Sequence, residues 1–110
     1  MENQSSVELL LPLWHNSKAL PMSKIFSERI NISDVVKRGI KNWPVWEKEP
    51  SRYEWSYDCD EECYIIEGDF SIESEEGTFH YKTGDFITFK EGFRCVWNIR
   101  HDVVMHYNFK

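Results

Sequence analysis

Short alternating runs of apolar and polar residues fill the second half of the chain. "RYEWSY" alternates from Arg52 to Tyr57, "ECYIIEG" ends at Gly68, and "DFSIE" and "TFHY" flank "SEEG". "GDFITF", "RCVWNI" and "VVMHYNF" complete the series. A period of two marks strands with one buried face, and the turn residues between runs mark their ends. "SEEG" predicts a hairpin loop containing Gly77. The runs recur roughly every 8–12 residues, the spacing of an all-β sandwich or barrel. Ser33 before "DVVKRG" predicts a helix N-cap, one or two helical turns and a stop at Gly39. Residues 1–22, broken by Pro12 and Pro21, read as a short N-terminal extension to a domain spanning 23–110. The extension is either a loose tail or a strand that packs "LLLPLW" onto this subunit or a neighbour.

A length of 110 residues suits one domain with one core. Hydrophobic residues at 41%, with 15% aromatic, supply enough material to pack it. A net charge of −6 and the lack of a basic run argue against nucleic acid or anionic membrane as partners. The run "VELLLPLW" is too short to span a bilayer and has no basic leader before it. Three cysteines, Cys59, Cys63 and Cys95, do not make a disulfide framework. The expectation is a cytoplasmic protein.

Four segments carry a family resemblance: "NWPVWEKEPSRYEWSY", "EECYIIEGDFSIESEEG", "KTGDFITFKEGFRCVWNI" and "MHYNF". Over residues 42–110 the chain resembles a small single-domain cupin of the ureidoglycine-aminohydrolase-like group, which includes the ethanolamine-utilisation cupins. The resemblance implies an antiparallel jelly-roll β-barrel with a pocket inside, and commonly a divalent metal held by three His and one Glu. Aligned on the two cupin motifs, Glu61 and Gly68 keep their places. The first two His positions fall on Trp55 and Tyr57, and the third falls on Cys95. Lys90 stands where proline is usual, and Ile99 where asparagine is usual. Indole is no metal ligand at neutral pH, so the usual cupin metal is not expected.

Given that barrel, strand parity suggests a pocket of Trp55, Tyr57, Glu61, Cys63, Cys95 and Trp97. Glu61 is the candidate catalytic or ligand-anchoring carboxylate; otherwise it is structural, bonded to Tyr57 or a backbone amide. Cys63 and Cys95 read as small buried hydrophobes before reactive thiols. Trp55 and Trp97 either stack on a planar ligand or fill the barrel. His106 matches a family position and is the one histidine with a route to the pocket; otherwise it is a hydrogen-bonded strand residue. His80 and His101 read as exposed, and Trp43 and Trp46 as packing outside the barrel or against a second subunit. A zinc set of Glu61, Cys63, Cys95 and His106 is a minor alternative. The function expected is binding of a small polar or aromatic ligand without the usual metal. The alternatives are acid/base catalysis by Glu61 with Tyr57, His106 or a cysteine, and a filled barrel that is purely structural. A homodimer is expected, because sheet edges need cover.

Overall fold

The structure, a computed structural model, describes residues 22–110. The extension therefore lies outside the described residues, apart from its last residue, Met22, which is exposed. Strands β1 (Ile25–Arg29), β2 (Val45–Lys48), β3 (Ser51–Ser56), β4 (Glu61–Ser74), β5 (Gly77–Lys82), β6 (Asp85–Phe89) and β7 (Arg94–Phe109) form one antiparallel sheet system. The all-β reading of the alternating runs is correct. Among the described residues the sheet does not close fully into a barrel.

Strands β4 and β7 pair from Glu61↔Phe109 to Glu73↔Val96. The register slips between Ile65 and Phe70. Such bulges bend a strand pair without ending it. On either side of the bend the pair takes different neighbours. The first half of β4 pairs with β6, which carries β1 on its far edge, and the second half pairs with β5. The first half of β7 pairs with β3, and the second half with β2. One bent pair thus belongs to two facing sheets, and the core lies between them.

Two expected strand ends are absent. Gly68 sits inside β4, and "RCVWNI" and "VVMHYNF" are one strand. Gly68 has φ 151°, and a Cβ there would meet Val103 Cγ2 at 3.1 Å. Glycine here kinks the strand where the two backbones close up, so a turn signal in the sequence became a bulge. The hairpin is as expected, with Glu75–Glu76 joining Ser74 to its register partner Gly77.

Helix α1 (Ile32–Lys37) is capped two residues earlier than expected. Asn31, not Ser33, accepts the Asp34 N–H at 2.9 Å through its side chain. Gly39 follows with φ 68°, where the expected stop falls. Val35 of the helix and Ile40 of the next 3-10 turn bury against Phe86, with Trp43 and Tyr64 beside them. This satellite cluster covers the outer face of the β6–β4–β7 sheet.

The main core holds Phe70, Phe89, Ile65, Ile72, Ile87 and Val103 fully buried. Each large apolar side chain contributes about 1.5–3 kcal/mol by leaving water. Trp97, 2% exposed, is its centre: it stacks on Phe70 at 4.7 Å and donates its indole N–H to the Tyr57 hydroxyl at 3.3 Å.

Replacing Gly68 with Ala should cost about 2 kcal/mol or more, because it combines an unfavourable φ with a close contact. Gly39→Ala, where nothing lies within 4 Å of the new Cβ, should cost only about 1 kcal/mol, the price of the left-handed φ. Urea midpoints of the two variants check the order.

Candidate functional site

Between the two sheets lies an open pocket of about 640 Å³. Its wall is aromatic. Trp46 from β2, Tyr53 and Trp55 from β3, Trp97 from β7 and Tyr107 further along β7 all contribute. Parity places them, because the register partners Trp46↔Met105, Tyr53↔Trp97 and Trp55↔Cys95 point the same way. Tyr53 lies parallel to Trp97 at 6.2 Å, and Trp46 meets Trp97 edge-on at 5.8 Å. Lys48, Asp58, Cys59 and Glu61 are the reactive or charged groups in the lining.

Glu61 opens β4, in an inward row between Phe89 and Phe109. It is half-buried, and its Oε2 accepts a hydrogen bond from the Cys63 thiol at 3.5 Å. Burial raises its pKa above the ordinary carboxylate value, with the Cys63 bond acting in the opposite sense. The expected Tyr57 partner is taken elsewhere, since the Tyr57 hydroxyl receives the Trp97 N–H. Burial, then Cys63, Cys95 and Glu61, push the Tyr57 phenol well up, so it stays protonated at neutral pH.

The loop before β4 is pinned from outside. Lys90 reaches Asp60 Oδ2 at 2.5 Å, and the Glu91 N–H reaches Oδ1 at 2.8 Å. The Lys90 hydrogen bond, then that of Glu91, holds the Asp60 carboxyl below its usual range. This clasp fixes the mouth of the pocket, where Asp58 and Cys59 sit.

Of the residues predicted for the pocket, Trp55, Tyr57, Glu61 and Trp97 line it. Trp55 does so from the rim, at 52% exposure. Cys63 and Cys95 are buried behind the lining. Burial, then Glu61, holds the Cys63 thiol well above its ordinary value, and burial pushes Cys95 up to about 12. Neither is an accessible thiolate. His106 is a correction. It lies on the outer face, in register with Tyr64 and Val45, and its Nδ1 sits 3.0 Å from the Trp43 carbonyl. Met105 and Tyr107 take the inward positions on either side of it. Trp43 packs outside as expected, but Trp46 turns inward, against the expectation. Lys48, Tyr53 and Tyr107 were missed. The β3 alternation already placed Tyr53 on the Trp55 face; nothing in the sequence showed which face of β2 would meet it. His80 and His101 are exposed as expected.

The metal positions of a cupin hold, here, a rim indole, a protonated phenol bonded to Trp97, Glu61, and a buried thiol behind the lining. These residues do not fit the usual metal. The zinc alternative is not assembled either, because His106 points to the other face from Glu61. Among the described residues no group of three or more His, Cys, Asp and Glu could hold a metal ion.

Two sheets sharing a bent strand pair around an internal pocket define a cupin, one in which the usual metal-ligand positions have been replaced. The chain belongs to the family of EutQ-like cupin domains, whose model matches residues 36–107. A DUF861 family protein from Thermotoga maritima is 36% identical, with a TM-score of 0.75 over 78% of this chain and 99% of that one. Two others share the fold at lower identity. One is a putative ethanolamine utilization protein Q from Salmonella typhimurium: 20% identity, TM-score 0.54, 59% of this chain and 53% of that one. The other is the EutQ protein of Clostridium difficile: 13% identity, TM-score 0.56, 77% of this chain and 66% of that one. No curated protein matches the chain. Among the described residues no helix is long and apolar enough to cross a membrane.

Burial, then the neighbouring carboxylates of Asp58, Glu61, Asp60 and Glu91, raise the Cys59 thiol pKa. Native protein should therefore show one slowly reacting thiol, Cys59, with an Ellman-type reagent at pH 8, and three fast ones after unfolding. A second prediction follows from Glu61. Its folded pKa lies above its unfolded value, so its contribution to stability is full below the unfolded pKa and is lost as pH rises through the folded one. Glu61→Gln removes that titration. Its stability relative to the parent should therefore rise between pH 4 and pH 7, read from urea midpoints.

Proposed function

We propose that this protein binds a small polar or aromatic molecule in the pocket between its sheets, without the usual cupin metal. One observation carries the reading: a half-buried carboxylate, Glu61, set in a largely aromatic wall that opens to solvent. Pockets of several hundred Å³ lined by apolar groups with a few polar anchors are the common form of small-molecule sites. A purely structural role would leave the space filled by side chains; the open space of about 640 Å³ among the described residues favours binding.

Catalysis is the second reading, and what supports it is Glu61 alone. A carboxyl with a raised pKa that lines a pocket is suited to proton transfer. Tyr57 stays protonated and so offers no base, and its raised pKa makes it a poor acid; His106 and the two buried cysteines do not line the pocket.

Anilinonaphthalene sulfonate tests the pocket directly. It should bind the native protein near one to one and be displaced by a fraction of a small-molecule extract. Glu61→Gln should weaken the displacing compound by roughly 1–3 kcal/mol while leaving the fold intact by circular dichroism. Failure of the dye to bind folded protein would overturn the proposal.

A further inference from the structure

The pocket is polar at its two ends and aromatic between them. At one end the β3–β4 loop and the start of β4 supply Asp58 and Glu61, both acidic. At the other, the end of β2 supplies Lys48, the one cation in the lining. Lys48 pairs with Val103 on β7, and Glu61 pairs with Phe109 on the same strand. Six residues of strand correspond to about 20 Å of backbone, less once the sheet curves and the side chains converge. The stretch between is walled by Trp46, Tyr53, Trp97 and Tyr107.

Each pole has bonding capacity left. Lys48 Nζ stands 5.6 Å over the Tyr53 ring and has no carboxylate partner among the described residues. One oxygen of Glu61 accepts from Cys63, and the other has no partner among the described residues. An ammonium held over a ring seeks an anion or acceptor, and a half-buried carboxylate oxygen seeks a donor. Asp58 and Glu61 repel an anion from their own end. A ligand with an acid group is thereby oriented one way only.

We propose that the ligand is an elongated aromatic acid, its acid group on Lys48 and a hydroxyl or amine at its far end on Glu61. This rests on the binding reading above and adds polarity and length to it. The half-buried rings of Trp46, Tyr53 and Tyr107, backed by the buried Trp97, suit a planar or nearly planar body that lies along them.

The test uses three two-ring probes and calorimetry: biphenyl carrying a carboxylate and a hydroxyl at opposite ends, biphenyl with the carboxylate alone, and biphenyl with the hydroxyl alone. The doubly substituted compound should bind about tenfold tighter than either of the others, as expected for one charge-assisted hydrogen bond at each end. Lys48→Met should abolish the advantage of the carboxylate and leave that of the hydroxyl. Glu61→Gln should narrow the advantage of the hydroxyl and leave that of the carboxylate. Equal affinities for the three probes, or a carboxylate preference that survives Lys48→Met, would overturn the inference while leaving the pocket a binding site. If no probe binds although anilinonaphthalene sulfonate does, the inference falls alone. If the dye fails as well, both fall.

Discussion

The pairing of β4 with β7 is the constraint on which the molecule depends. These two strands stay hydrogen-bonded through a bend, and every other strand attaches to one half or the other. The bend turns one ribbon into two facing sheets and encloses the core. It also sets the pocket, whose acidic end is the start of β4 and whose aromatic wall is largely β7 and its two partners β2 and β3. Gly68 lies within the bend, and Val103 of β7 occupies the space a side chain there would need.

Two polar contacts set the chemistry of the interior. Trp97 carries an N–H into an apolar core, and the Tyr57 hydroxyl is its acceptor at 3.3 Å. Burying such a donor without a partner would be costly. Glu61 brings an acid group into the same interior and takes the Cys63 thiol. Tyr57 stands where a metal-binding cupin would place an imidazole, and Glu61 where it keeps its carboxylate. Here the members of each pair satisfy one another's polar groups. They leave Glu61 half-exposed to the pocket and the thiol sealed behind it.

Much of the fold was legible in the sequence because alternation is a local signal. Each run from "RYEWSY" onward became strand, the hairpin fell at "SEEG", and the helix stopped at Gly39. What was not legible depended on neighbours. Glycine at position 68 reads the same whether it ends a strand or kinks one; only the approach of Val103 decides. Both Asn31 and Ser33 can cap; the helix takes Asn31, and Val35 then buries against Phe86. The site was half legible. Trp55, Tyr57, Glu61 and Trp97 followed from parity along single strands. His106 went astray because its neighbours Met105 and Tyr107, both able to face inward, took the pocket side of β7. Lys48 and Trp46 were invisible until the pairing of β2 with β7 fixed which face they share.

The distribution of tryptophans gives this molecule an optical property. Trp97 is sealed in hydrocarbon, Trp46 is half-buried against it, and Trp55 stands half in water at the pocket mouth. Indole emission shifts to longer wavelength with the polarity around the ring, so the folded chain emits as a composite, blue from the floor and red from the rim. Trp46 and Trp97, 5.8 Å apart, exchange excitation energy and emit as one pair. Among these three, Trp55 is the indole whose emission answers to what surrounds the entrance, and its share of the colour reports on that single position.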